Sequence, residues 1–214
     1  MNGEMARLVN YIFEECHTGR MRSRLVTPVV MAIAIMLGGC ASNPNDAYFG
    51  SVESKANVYV APQKVKDPIH KVAIMPFKAP TDLIGASVSD LLLTEFMRAG
   101  RYEMVERGQM SKVLSETELS LAGLSAAKAT EVGQMLGAEG VIIGTVDDYS
   151  MVAQRGRTYA VVGISARLID CSSGKVIWSV DLAERAEDRD TTLPEQVRIV
   201  IHKVTAALYQ HWKD

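Results

Sequence analysis

The chain has 214 residues, 48% hydrophobic and 22% charged, a composition that supports one core of ordinary size and excludes a disordered tail. Against 25 Asp and Glu stand 23 Lys and Arg, so the net charge of −2 lacks the basic excess of a dedicated nucleic-acid binder. Three cysteines are too few, and odd in number, for a disulfide-built scaffold.

Residues 1–20 carry Glu4, Glu14 and Glu15, acid where a secretion signal needs base, and translation is expected to begin at Met21, with 1–20 a mis-assigned start. Residues 21–39 read as a signal peptide: Arg22 and Arg24, an apolar run from Leu25 to Leu37, then Gly38 and Gly39. Thirteen apolar residues are too few to cross a ~30 Å hydrocarbon core as a helix. The closing Leu37-Gly38-Gly39-Cys40 resembles the lipobox of bacterial lipoproteins. That resemblance implies cleavage between Gly39 and Cys40, acylation of Cys40, and attachment to the lipid bilayer through it. The competing reading, a buried thiol in a Gly-rich turn, leaves the basic and apolar flanks without a purpose. Acyl chains contribute ~0.8 kcal/mol per buried methylene, so two or more hold a chain without a spanning segment. The mature chain of 175 residues then carries 19 basic and 22 acidic residues. Its remaining thiol, Cys171, has no internal disulfide partner.

Residues 40–70 have weak periodicity and contain Pro44, Pro62 and Pro68. They read as a flexible tether, for which thirty residues give an r.m.s. reach of roughly 30 Å. Within it, Asn57–Val60 suits a short strand docking on the domain edge.

A single α/β domain is expected over 71–214. Lys71–Phe77 is a buried strand closed by Pro76. In the helix that follows, Val88, Leu91, Leu92 and Phe96 face inward, Asp90, Glu95 and Arg98 outward, and Gly100 takes the C′ position. A strand over Tyr102–Glu106, a helix over Gln109–Glu116, a helix capped by Ser125 and a strand over Gly140–Val146 complete a β-α-β-α-α-β start. A polar connection, Asp148–Arg157, leads into an antiparallel meander. Thr158–Asp170 alternates Ile164, Ala166 and Leu168 with Ser165 and Arg167, a turn spans Asp170–Lys175, and Val176, Trp178, Val180 and Leu182 resume the period of two. The C-terminal helix starts with a capping box, Thr192 and Glu195, around Pro194, and carries Val197, Val200, Ile201, Val204 and Leu208 inward. The sheet is therefore mixed.

Little in this pattern points to catalysis, a metal or a cofactor, and none is expected. His70, His202 and His211 read as solvated, the last two on opposite faces of one helix, and no zinc, redox, nucleophile-elbow or phosphate-loop motif is present. Asp147 and Asp148 are adjacent on a strand and point to opposite faces unless a bulge intervenes. Glu184, Arg185, Glu187, Asp188, Arg189 and Asp190 read as a solvated turn with the option of a partner-facing edge. Cys171 is expected at a partly exposed turn tip without a role. Trp178 and Tyr159 are expected in packing, with partner contact only if their face is open.

Four segments carry a family resemblance in order: Val72-Ala73-Ile74-Met75-Pro76-Phe77, Tyr102-Glu103-Met104-Val105-Glu106-Arg107, Leu136-Gly137-Ala138-Glu139-Gly140-Val141-Ile142-Ile143-Gly144 and Ser173-Gly174-Lys175-Val176-Ile177-Trp178. Over residues 70–185 the chain resembles the curli secretion-channel (CsgG) family. The resemblance implies a non-catalytic lipoprotein on the outer membrane facing the periplasm, serving as scaffold or accessory in export or surface-structure assembly. It also implies envelope protein partners, and leaves a homo-oligomer open. Channel-forming members insert four membrane strands per protomer, which at ~9–11 residues each exceed what Asp148–Arg157 can hold, so no pore is expected. The last two segments also resemble compact outer-membrane lipoproteins that activate a peptidoglycan synthase, the alternative role, although those carry a much longer tether.

Overall fold

The apolar runs spaced along the domain become neighbouring strands of one sheet. The computed structural model describes residues 43–62, 69–106, 108 and 125–212. The signal, Gly39, Cys40 and the helix expected over Gln109–Glu116 lie outside them. Among the described residues six strands, β1 (Asn57–Val60), β2 (Lys71–Ile74), β3 (Glu103–Met104), β4 (Gly140–Gln154), β5 (Arg157–Asp170) and β6 (Val176–Arg185), stand in the order β1-β6-β5-β4-β2-β3. The pairs β2–β3 and β2–β4 are parallel and the others antiparallel, so the sheet is mixed as expected.

Among the described residues four named helices accompany it: α1 (Pro44–Phe49), α2 (Asp82–Ala99), α3 (Ala126–Met135) and α4 (Leu193–Trp212). Their ends follow the sequence signals. Ser125 Oγ accepts the Lys128 N–H, Thr192 and Glu195 form the reciprocal capping box, and Gly100 closes α2 with φ 69° and its N–H on the Phe96 carbonyl. Thr81 adds an unexpected cap, accepting the Ile84 N–H at 3.3 Å.

Packing is three-layered. On one face α2 and α4 bury Val88, Leu92, Phe96, Val200, Ile201 and Val204 against Ile74, Ile142, Ile164, Leu168, Trp178 and Val180. On the other, α3 and its C-cap Leu136 bury Ala129, Val132 and Leu136 against Ala73, Met75, Val141, Ile143 and Ile169. Trp178 is 1% exposed; its indole N–H donates to the Tyr102 hydroxyl at 3.1 Å, and Phe96 meets its ring edge-on at 5.9 Å. Trp212 closes the cluster against Phe96 and Tyr102, at 5.6 and 5.4 Å. Such pairs contribute ~0.5–1.5 kcal/mol each beyond their buried area.

Two expectations need correction. The connection Asp148–Arg157 is not a loop: β4 and β5 run on as a hairpin, paired to Gln154 with Arg157, and turn through Arg155 (φ 52°) and Gly156 (φ 74°). Two successive positive φ angles match the right-handed twist of the flanking strands, and glycine removes the steric cost at the second.

The tether is the second. Residues 44–62 are not free, because α1 lies across α2 and α4 with Phe49 0% exposed. Phe49 faces Tyr209 at 5.0 Å and His202 at 5.6 Å. Asp46 accepts the Tyr209 hydroxyl, Asn45 donates to the Ala99 carbonyl, and Gln210 donates to the Val52 carbonyl. Beyond it, β1 pairs with β6, the edge docking the sequence suggested. The physical reason is local: Pro44 starts a helical turn, and Tyr48 and Phe49 supply apolar area that a solvated tether would leave in water.

If Phe49 is part of the fold, Phe49→Ala should lower unfolding free energy by ~3–5 kcal/mol. It should also open residues 51–56 to protease. A denaturant curve coincident with the parent would show that α1 contributes nothing.

Candidate functional site

Register places a polar surface on the sheet. α3 covers β4 and the end of β5 at Ile169, and beyond Ile169 the outward residues of β5, β6 and β1 on that side have no described helix above them. They form rows across the strands. Thr145 stands beside Ser165, Ser165 beside Asp181, and Asp181 beside Asn57; one step along, Arg167 stands beside Ser179 and Ser179 beside Tyr59. Asn57 Nδ2 donates to Asp181 Oδ1 at 3.1 Å. Arg167 and Asp181 are exposed, and Tyr59 is 57% exposed. Where this face meets the start of α3, Pro76, Lys78, Ser125, Thr145, Ser165 and Arg167 line a cleft of about 360 Å³. Farther along, the Arg185 guanidinium lies 4.3 Å from the Tyr159 ring centre, a cation–π contact.

This face pairs donors and acceptors of both signs across neighbouring strands. Among the described residues it holds no nucleophile paired with a base. Alternation had already marked Ser165 and Arg167 as the polar side of a half-buried strand. Asn57–Val60 suits an edge strand by sequence, but its register against β6, which sets Asn57 beside Asp181 and Tyr59 beside Ser179, comes only from the tertiary pairing.

The acidic pair separates. A bulge between Val146 and Asp148 interrupts the strand alternation at this pair. Asp148 accepts the Ser150 hydroxyl at 2.6 Å, and Asp147 is exposed. Among the described residues no group of three His, Cys, Asp or Glu is placed to hold a metal ion.

The charged stretch after residue 183 also divides. Glu184 and Arg185 belong to β6 rather than to a turn, and both Glu184 oxygens take Lys203 Nζ, at 2.7 and 2.8 Å. Glu187, Asp188, Arg189 and Asp190 are exposed as expected; Asp188 accepts the Asp190 N–H.

Of the histidines, His70 and His211 are exposed, whereas His202 is half-buried. Its Nδ1 lies 3.2 Å from Glu95 Oε2, with Tyr48 edge-on at 4.5 Å. Glu95 and Arg98, expected to face solvent, are drawn into the same contact: Tyr48 donates to Glu95 at 3.1 Å, and Arg98 stacks over the Tyr48 ring at 4.4 Å. Burial, then the Glu95 charge, pushes the Tyr48 hydroxyl pKa up. Trp178 packs in the core as expected, while Tyr159 is only half-buried beside Arg185.

Cys171 is not exposed. It is 5% exposed, packed where a Cβ on Gly133 would come within 2.6 Å of its Sγ. Burial, then the charge of Asp170, pushes the thiol up to about 11. The adjoining turn is held by Asp170, whose carboxylate accepts from the Ser172 N–H and from both the Ser172 and Ser173 hydroxyls.

The fold has known counterparts. PelC from Paraburkholderia phytofirmans, solved as a dodecamer, overlays with a TM-score of 0.52 at 21% identity, covering 73% of this chain and 98% of that one. Lipoprotein GNA1162 from Neisseria meningitidis overlays with a TM-score of 0.50 at 17% identity, covering 68% and 99%. The C-terminal domain of LpoB from Escherichia coli is more distant, with a TM-score of 0.41 at 17% identity over 57% and 87%. No curated protein sequence matches the chain.

Cys171 should stay unmodified by a thiol reagent at pH 8, where a pKa near 11 leaves only about 0.1% thiolate, and react on unfolding. Rapid labelling of the folded protein at this position would overturn its buried placement.

The family model for the curli production assembly/transport component CsgG matches residues 53–200, from β1 into α4, and the chain belongs to that family.

Proposed function

We propose that the protein is a non-catalytic envelope lipoprotein, anchored by acylated Cys40 to the outer membrane with its domain in the periplasm, and that it acts as scaffold or accessory in export or surface-structure assembly. The observation that carries this reading is the open polar row on β5, β6 and β1 in a domain of the CsgG family. It offers protein contact without a described catalytic constellation. The dodecameric state of PelC, a neighbour in fold, makes a second copy of this chain one natural occupant.

The family's transport role does not extend to a pore in this reading. Past the last β5–β6 pair, Val161 with Arg185, β5 continues only through residues 157–160. A membrane strand needs ~9–11 residues with an apolar outer band. The hairpin tip, Gln154-Arg155-Gly156-Arg157, is polar and exposed.

Crosslinking in native membranes followed by mass spectrometry should recover this chain with itself or with export components, through residues such as Tyr59 and Arg167. Recovery of a peptidoglycan synthase instead would favour the alternative role. Cys40→Ala should move the protein to the soluble periplasmic fraction or leave its signal uncleaved; a mutant that remained processed and lipid-anchored would sink the anchor. In planar bilayers the purified protein should give no reproducible large-conductance events, and their appearance would refute the poreless reading.

A further inference from the structure

Strand directions give the domain two poles. At one lie the starts of β2 and β4, the ends of α2 and α4, and the Asp170–Lys175 turn: Glu103 donates its N–H to the His70 carbonyl, Gly140 pairs with Asp170, and Trp212 meets Tyr102. At the other lies the β4–β5 turn. The 15 residues of β4 between them span about 45 Å at ~3.3 Å per residue.

The N-terminal segment joins the first pole. Asn45 donates to the carbonyl of Ala99, the last residue of α2, and Tyr48 reaches Glu95 and Arg98 in its final turns. Only residues 41–43 separate Cys40 from Pro44, so the span from Cys40 to Pro44 is at most about 14 Å fully extended. A thirty-residue tether is thereby reduced to four peptide steps. Around the point where this leash leaves, Arg98 and Arg101 are exposed, with Arg98 held in place by the Tyr48 ring. Guanidinium groups in that position complement lipid phosphates, but the same pole carries exposed Glu103 and Glu139 and the hairpin tip exposed Arg155 and Arg157, so the short leash and not the charge sets the orientation.

We infer that the anchored domain rests with the α2 C-terminal pole on the phospholipid headgroups, Arg101 facing them, and with the β4–β5 turn pointing away into the periplasm. This rests on acylation of Cys40 as proposed above. A leash of about 14 Å cannot bring the hairpin tip, about 45 Å away, back to the same leaflet while that pole is seated. The tip and the open sheet face are then presented to partners, and the domain stays at the membrane surface rather than reaching across the periplasm.

The experiment uses the full lipidated chain in vesicles of phosphatidylethanolamine and phosphatidylglycerol, labelled with bimane at Arg101→Cys or Arg157→Cys; buried Cys171 stays silent. A headgroup-nitroxide lipid should quench the label at 101 several-fold more than the label at 157. Equal quenching at both, or stronger quenching at 157, in protein that floats with the vesicles would overturn the orientation. Inserting about twenty Gly/Ser residues after Ser42, with an r.m.s. reach of about 25 Å, should erase the difference, and its persistence would overturn the leash as its cause. Protein that fails to float would instead overturn the acyl anchor, and this inference with it.

Discussion

The seating of Phe49 between α2 and α4 is the contact on which the organisation of this protein turns. It converts residues 44–62 from spacer into structure, and the surrounding hydrogen bonds come with it: Asp46 to Tyr209, Asn45 to Ala99, Tyr48 to Glu95. Each polar contact is modest, about 1 kcal/mol net. The buried ring supplies most of the stabilisation, because a fully buried phenylalanine removes a large apolar surface from water. Once α1 is fixed, β1 is delivered to the edge of β6 and completes the sheet.

That edge has a consequence for the polar face. Without β1, Asp181 and Ser179 would sit on an unpaired edge strand, a template for unspecific strand addition. With it, the row from Thr145 to Asn57 extends across four strands and the row from Arg167 to Tyr59 across three. The same segment therefore closes the hydrogen-bonding edge and widens the surface available to a partner.

Several polar and thiol side chains are engaged in packing and turns. Asp170 holds a turn, Asp148 takes a serine hydroxyl, Glu184 takes Lys203, and the Cys171 thiol fills the space beside Gly133. Half-buried ion pairs of the Glu184–Lys203 kind contribute on the order of 1 kcal/mol, a structural scale. The β4–β5 hairpin extends past its last pairing with β6, Val161 with Arg185, by only residues 157–160 of β5.

Local pattern was enough for much of this. The caps at Ser125, Thr192 and Gly100, the stripes of α2 and α4, the alternation of β5 and β6 and the α/β class all follow from side-chain periodicity and terminal hydrogen bonding, which act within a few residues. The family resemblance over residues 70–185 agrees with the family match over 53–200. Contacts between segments distant in sequence decided the rest. The bulge after Val146 depends on cross-strand pairing, Glu95 and His202 are covered only because α1 folds over them, and Cys171 is buried only because α3 lies above it. The helix of Tyr48 and Phe49 is too short to be stable alone, so its amino acids carry little local signal, and only a seam more than 40 residues away in the chain makes it form.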